Sequence, residues 1–153
     1  MIPAAPRAVT ILLVDDSPSD VRLAEEALKE AGVTCNLVVA RDGLEAMEYL
    51  RCHTDRLPSL ILLDLNMPRM RGDEVLGELK RDPALRSIPV IVLTTSKARL
   101  DVAVCYDLHA NCYVAKPLRL EDFVEVMSAI WRFWFGVATL PSIVGEGDDE
   151  ECY

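Results

Sequence analysis

Five short apolar runs, each closed by polar or turn-forming residues and followed by a segment with helical spacing, constrain this chain more than any other feature. TILLV (Thr10 to Val14) ends in Asp15-Asp16, Leu37 to Ala40 leads into Asp42-Gly43, and LILL (Leu60 to Leu63) ends in Asp64. PVIVL (Pro89 to Leu93) ends in Thr94-Thr95-Ser96, and Cys112 to Ala115 ends in Lys116-Pro117. Runs this short, without polar alternation, read as strands buried on both faces, the pattern of a parallel sheet. Ser17 offers an N-cap and Pro18 an N1 proline to the first intervening helix. Val21, Ala24, Ala27, Leu28 and Ala31 hold helical spacing there until Gly32 closes it. Leu44, Met47 and Leu50 share one face of the second helix. A third runs from Asp73 to Arg81 and stops at Asp82-Pro83, a fourth spans about Ala98 to Leu108, and a fifth runs from Leu120 to Phe135. Such alternation predicts an α/β fold with a doubly wound, five-stranded parallel sheet and five covering helices.

In a parallel sheet all the strand carboxyl ends meet at one edge, the edge where ligands bind in open α/β folds. Asp15, Asp16, Asp64, Thr94 and Lys116 therefore converge, although up to a hundred residues separate them in sequence. Three clustered carboxylates repel one another unless a hard divalent cation takes up their charge. Mg²⁺ suits the set because it binds through few carboxylates, waters and a phosphate. No His or Cys lies at these ends, which disfavours zinc. The remaining groups suit phosphoryl transfer, in which a protein mainly positions atoms and neutralises charge. Asp64 is the candidate nucleophile, forming an acyl phosphate. Asp16 is the candidate direct metal ligand, with Asp15 beside it or acting through water and the backbone carbonyl of Asn66 adding an oxygen. Lys116 offers a point charge to a phosphate oxygen and Thr94 a hydroxyl.

Asp15-Asp16, Asp64 with Met67-Pro68 and Gly72, Thr94, and Lys116-Pro117, in this order after successive strands, resemble the receiver domain of two-component response regulators. The resemblance spans roughly residues 10 to 135. It implies a flavodoxin-like fold with strand order 2-1-3-4-5, phosphorylation of Asp64 by a sensor histidine kinase, Mg²⁺ dependence and slow self-dephosphorylation. The protein is then a stoichiometric phosphoacceptor rather than an enzyme. By position the resemblance makes Asp15 and Asp16 the acid pocket, Thr94 the switch hydroxyl, Lys116 the phosphate-sensing lysine and Tyr113 the aromatic switch residue. It also implies that the Lys116–Pro117 peptide bond is often cis. YDLHANCYVAKP and the later ATLP look like the single-domain regulators that serve phytochrome-type kinases, which implies a bacteriophytochrome as the partner. His53 and His109 receive no role.

On a helical wheel the last helix carries Phe123, Val126, Met127, Ile130, Phe133 and Trp134 on one stripe, widened by Val124, Trp131 and Phe135. That arc is roughly 200°, about twice what packing on one sheet needs. The excess predicts a homodimer through Val124, Trp131 and Phe135, on the face of the fourth helix, fifth strand and fifth helix. Residues 137 to 144 offer the competing cover by folding back over Trp131, or they reach across to a second subunit. The expected organisation is a flexible lead at 1–9, the receiver domain at 10–135, and an extension at 136–153 with an acidic tail. Glu146, Asp148, Asp149, Glu150 and Glu151 in that tail supply five negative charges towards the formal −9. This balance, with no basic helix-turn-helix, argues against direct DNA binding and against an anionic membrane surface. The N-terminus lacks an apolar targeting core, and no run approaches the roughly 18 apolar residues of a spanning helix. Five cysteines without C-x-x-C spacing fit reduced thiols in the cytoplasm. A haloacid-dehalogenase-type phosphatase needs a second Asp where Asn66 stands and a nucleophile after the first strand. A nucleotide or flavin binder needs a glycine-rich phosphate loop that no strand precedes. A pure interaction module does not need the full acid, hydroxyl and lysine set.

Overall fold

A computed structural model describes residues 9–141. The elements follow in strict alternation: β1 (Thr10–Val14), α1 (Pro18–Glu30), β2 (Asn36–Ala40), α2 (Gly43–Cys52), β3 (Leu60–Leu63), α3 (Gly72–Arg81), β4 (Val90–Thr94), α4 (Arg99–Asp107), β5 (Cys112–Ala115) and α5 (Leu120–Arg132). All four strand pairings are parallel and the sheet order is β2-β1-β3-β4-β5, which is the flavodoxin-like receiver arrangement. β3 sits at the centre, and its four residues, Leu60 to Leu63, have no exposed surface. Alternate strand residues face opposite ways. Leu12, Val14, Ile61, Leu63, Val90 and Val92 therefore join one core with α2 and α3, while Ile11, Leu13, Leu60, Leu62, Ile91 and Leu93 join a second with α1 and α5.

Local signals place the helix ends. Ser17 Oγ accepts from the Asp20 N–H at 3.3 Å with Pro18 in the first turn, and Asp42 Oδ1 accepts from the Glu45 N–H at 2.9 Å. Gly32 takes φ 75° just past α1, a left-handed geometry that glycine adopts without strain. Four details depart from the sequence reading. β4 runs from Val90 and includes Thr94, because Pro89 has no N–H for the ladder and only its carbonyl takes part, accepting from Ile61 N–H at 3.0 Å. The buried stripe of α2 is Gly43, Ala46, Met47 and Leu50, so Leu44 lies one residue off it and is 49% exposed. α5 ends at Arg132 and continues as a wider π turn over Phe133–Val137, which swings Phe133 out of its expected stripe to 51% exposure. The Lys116–Pro117 peptide bond is trans, since no described bond is cis; proline's tertiary amide leaves both isomers accessible. The lead at 1–8, the path of residues 142–153 and the acidic tail lie outside the described residues.

One glycine is fixed by close approach. Gly72 opens α3 against the end of β3, where an added Cβ would lie 2.1 Å from the Asp64 carbonyl oxygen and 2.8 Å from Leu65 Cα. Both neighbours are backbone and cannot rotate aside. The Gly72 N–H also donates to the Leu65 carbonyl at 3.0 Å, closing the loop that follows Asp64. Gly72→Ala is therefore expected to cost about 1–3 kcal/mol, as overpacking of a tight site does. Urea unfolding checks this, and an unchanged midpoint would show that the loop yields freely.

Candidate functional site

β1 and β3 deliver the acids. Asp15 directly follows β1 and is buried, with its Oδ1 accepting from the Ser17 N–H at 3.0 Å and its Oδ2 from Lys116 Nζ at 2.7 Å. Burial pushes its carboxyl above the usual range despite those hydrogen bonds, and the nearby Asp64 charge adds to the rise. Asp16 stands exposed at the rim. Asp64 directly follows β3 and is 8% exposed; its Oδ1 accepts from the Leu65 N–H at 2.8 Å. One carboxylate oxygen from each of Asp15, Asp16 and Asp64 lies within 4.8 Å of the others. Asn66 is exposed in the loop after Asp64.

The opposite side is built by β4 and β5. Thr94, the last residue of β4, has no exposed surface, and its Oγ1 has no hydrogen-bond partner among the described residues. Its carbonyl accepts from the Lys116 N–H at 2.7 Å, which fixes the strand ends relative to each other. The Lys116 ammonium is buried, with Asp64 Oδ2 3.6 Å away, and a second bond runs to Asp20 Oδ2 at 3.0 Å. Burial works against this ammonium, yet the bonds and charges from Asp15, Asp20 and Asp64 outweigh it and hold its proton more tightly than an ordinary lysine's. Tyr113 is half-buried on β5 and donates from its hydroxyl to the Ser96 carbonyl at 2.9 Å. Ser96 Oγ in turn donates to Asp101 Oδ2 at 2.5 Å in the first turn of α4.

Thus the structure brings together Asp15, Asp16, Asp64, Thr94 and Lys116, with Tyr113 one step outside. Two features escaped the sequence reading. Asp20 belongs to the lysine's surroundings, and the available signal was an acid one turn after Asp16 on a helix that starts beside the acid pair. Arg69, in left-handed geometry at φ 65°, donates from Nε to Asp42 Oδ2 at 3.0 Å and from its second guanidinium nitrogen to the same oxygen. This pair ties the loop after Asp64 to the start of α2. The Glu45 N–H and then Arg69 hold the Asp42 carboxyl below the usual carboxylate range. His53, stacked on Tyr49 at 4.3 Å between ring centres, and His109 are both exposed. Of the expected dimer face, Val124, Trp131 and Phe135 are half-buried against the α5 core.

A parallel 2-1-3-4-5 sheet with an acid cluster, a buried hydroxyl and a lysine at its carboxyl edge defines a receiver module. The chain belongs to the response regulator receiver domain family, whose model matches residues 11–128. Response regulator Rcp1 of Synechocystis sp. is 46% identical over 136 residues, covering 86% of this chain and 92% of that protein. The crystal structure of the phosphorylated cyanobacterial phytochrome response regulator RcpA superposes with a TM-score of 0.83 at 46% identity, covering 89% of this chain and all of the other. The Mn²⁺-bound form of Rcp1 gives a TM-score of 0.80 at 45% identity, covering 88% of this chain and 99% of the other.

A divalent cation fits the residues present. One ammonium faces the carboxylates of Asp15, Asp20 and Asp64, and Asp16 adds another acid beside it. The donors are all oxygen, as hard cations require. Thr94 gives a separate test of the site's resting state. A buried hydroxyl without a partner is destabilising, so Thr94→Val should raise the stability of the unphosphorylated protein by about 1 kcal/mol. Chemical denaturation measures it, and a clear loss of stability would mean that the hydroxyl is already satisfied.

Proposed function

We propose that the protein is a phosphorylatable switch in which Asp64 accepts a phosphoryl group from a sensor histidine kinase. The observation that carries this reading is the placement of Asp64 Oδ2, 3.6 Å from Lys116 Nζ and within the Asp15–Asp16 cluster, beside a buried hydroxyl with no partner. Asp64 attacks the phosphorus of a phosphohistidine, the P–N bond breaks, and the electron pair leaves with the imidazole, which takes up a proton. Lys116 neutralises a phosphoryl oxygen and Thr94 donates its free hydroxyl to another. Asp15, Asp16, Asp64 and the Asn66 carbonyl would hold Mg²⁺, which would supply charge neutralisation at the transferring group. Attack of water on the phosphorus later breaks the P–O bond to Asp64 and releases phosphate slowly. No other catalytic turnover is assigned.

Treatment with a small phosphodonor and Mg²⁺ should add one phosphoryl mass to the wild-type protein and none to Asp64→Asn. Equal labelling of the two, or an unmodified wild type, overturns the assignment. A phytochrome-type kinase in place of the small donor tests that partner, which the likeness to the phytochrome response regulator RcpA favours.

Signalling through the α4–β5–α5 face is supported by Tyr113 on β5, whose hydroxyl donates to the Ser96 carbonyl in the loop after Thr94. Movement of Thr94 towards a phosphoryl group draws on the loop that holds Tyr113. α4 carries two exposed apolar side chains, Leu100 at 73% and Tyr106 at 50%, and Leu118 at 88% follows β5. Surface of this kind supports a homodimer through α4, β5 and α5, with Val124, Trp131 and Phe135 at its edge. Output then passes through protein contacts, since a formal charge of −9 opposes DNA. A cytoplasmic setting agrees with the four described cysteines being free and with no described helix being long and apolar enough to cross a membrane. Light scattering should give twice the chain mass; a monomer both with and without the phosphodonor overturns the dimer.

A further inference from the structure

Both oxygens of Asp15 are already committed, Oδ1 to the Ser17 N–H at 3.0 Å and Oδ2 to Lys116 Nζ at 2.7 Å. The proposed function also assigns Asp15 to the cation, so lysine and cation compete for one oxygen. An ammonium displaced from Asp15 seeks another buried acceptor, and Asp64 Oδ2 is 3.6 Å away. If Lys116 closed on Asp64, it would occupy both a second cation ligand and the nucleophile. Asp20 offers the alternative, with Oδ2 at 3.0 Å from the same nitrogen and outside the acid cluster.

We infer that Asp20 is a positioning residue that holds the Lys116 ammonium clear of Asp15 and Asp64 when these acids take up a divalent cation. The inference rests on the cation reading given above. Local chemistry explains why Asp20 is available. At the third helical position an acid commonly reaches back to the N–H of the capping residue. Here that N–H, on Ser17, donates to Asp15 instead, while Ser17 Oγ accepts from the Asp20 N–H at 3.3 Å. The Asp20 side chain is thus released from capping and turns towards the sheet edge. The lysine has three donors. Two are used by Asp15 and Asp20, and the third remains on the Asp64 side for a phosphoryl oxygen. A bond to Asp20 costs the cation nothing, whereas a bond to Asp15 or Asp64 competes with it directly.

The reading separates from a plain helix-end or charge effect. An acid in the first turn stabilises a helix through its dipole, and any nearby negative charge attracts a cation. Neither effect depends on Lys116. Glu25 lines the groove next to Asp15 and Asp16 on the same helix and has no contact with the lysine, so Glu25→Gln reports the charge effect alone.

The test is a Mn²⁺ titration of the full chain, followed by the electron paramagnetic resonance of free Mn²⁺. It compares wild type, Asp20→Asn, Glu25→Gln, Lys116→Met and the Asp20→Asn/Lys116→Met pair, with circular dichroism melts as a folding check. Asp20→Asn should raise the Mn²⁺ Kd about three- to tenfold, the range of coupling between contacting groups, against less than about twofold for Glu25→Gln. In the Lys116→Met background the Asp20→Asn effect should shrink to the size of the Glu25→Gln effect. A Kd for Asp20→Asn equal to that of Glu25→Gln, or an Asp20→Asn effect that keeps its full size without Lys116, overturns the inference. If Lys116→Met does not fold, the comparison of Asp20→Asn with Glu25→Gln decides alone. Wild-type protein that binds no Mn²⁺ overturns the cation reading and this inference with it. Wild-type binding with an unshifted Asp20→Asn overturns the inference alone.

Discussion

One buried ammonium among several carboxylates is the interaction on which the rest of the site depends. Lys116 has only 4% of its side chain exposed and lies 2.7, 3.0 and 3.6 Å from Asp15, Asp20 and Asp64. Removing a charge from water is expensive, and Lys116 tolerates it because its donors have acceptors. The acids tolerate burial because the lysine is there. The compensation is nevertheless incomplete, since the carboxylates outnumber the cation. A site left short of positive charge at the sheet edge is a poor salt bridge and a good receptor for a divalent cation. Structural stability and chemical readiness are opposed here, and the rest of the domain holds the acids in place.

That holding is done by short contacts on the loop after β3. Gly72 lies directly under the Asp64 carbonyl, and its N–H bonds back to the Leu65 carbonyl at 3.0 Å. Arg69 spends backbone strain in left-handed geometry, and its guanidinium reaches the buried Asp42. Asp42 is itself occupied in capping α2, so the loop after Asp64 is braced against a second helix as well as against β3. The phosphoacceptor role proposed for Asp64 would need this rigidity, because a carboxylate must meet phosphorus in line and a loose loop loses the benefit of proximity.

The fold and the central site were legible in the sequence because both rest on local, periodic signals. Apolar runs of four or five residues, capped helices and a polar residue at each run's end are read from composition and spacing, and parallel pairing then forces the ends together. The resemblance supplied what spacing does not: the strand order 2-1-3-4-5, found in the sheet, and the assignment of Tyr113. What was not legible depends on side-chain direction. Asp20 looks like any acid in a helix's first turn until Asp15 is seen to take the Ser17 N–H. Leu44 fits a helical face, but the true stripe starts one residue earlier at Gly43. Phe133 sits on the right wheel angle only while the helix keeps its pitch, and the π turn from Phe133 ends that. The Arg69–Asp42 pair joins residues 27 apart through a left-handed backbone that no propensity for arginine indicates.

In the proposed switch, the arrangement around Thr94 is what would carry a local event to the face of α4, β5 and α5. Its hydroxyl is idle, whereas the next residues are engaged: the Ser96 carbonyl accepts from the Tyr113 hydroxyl at 2.9 Å, and Ser96 Oγ donates to Asp101 at 2.5 Å. Moving Thr94 towards Asp64 gains hydrogen bonds for a group that has none, while the loop's contacts to β5 and α4 must be rearranged. The two sides are each worth only a few hydrogen bonds, about 1 kcal/mol apiece. Neither arrangement then dominates by a wide margin, and on the proposed function a phosphoryl group on Asp64 would decide between them. A fully satisfied Thr94 would favour the resting form, and a loop without the Ser96 contacts would leave nothing to report. On the proposed reading, this hydroxyl and the well-partnered loop beside it would be the two halves of one bistable element.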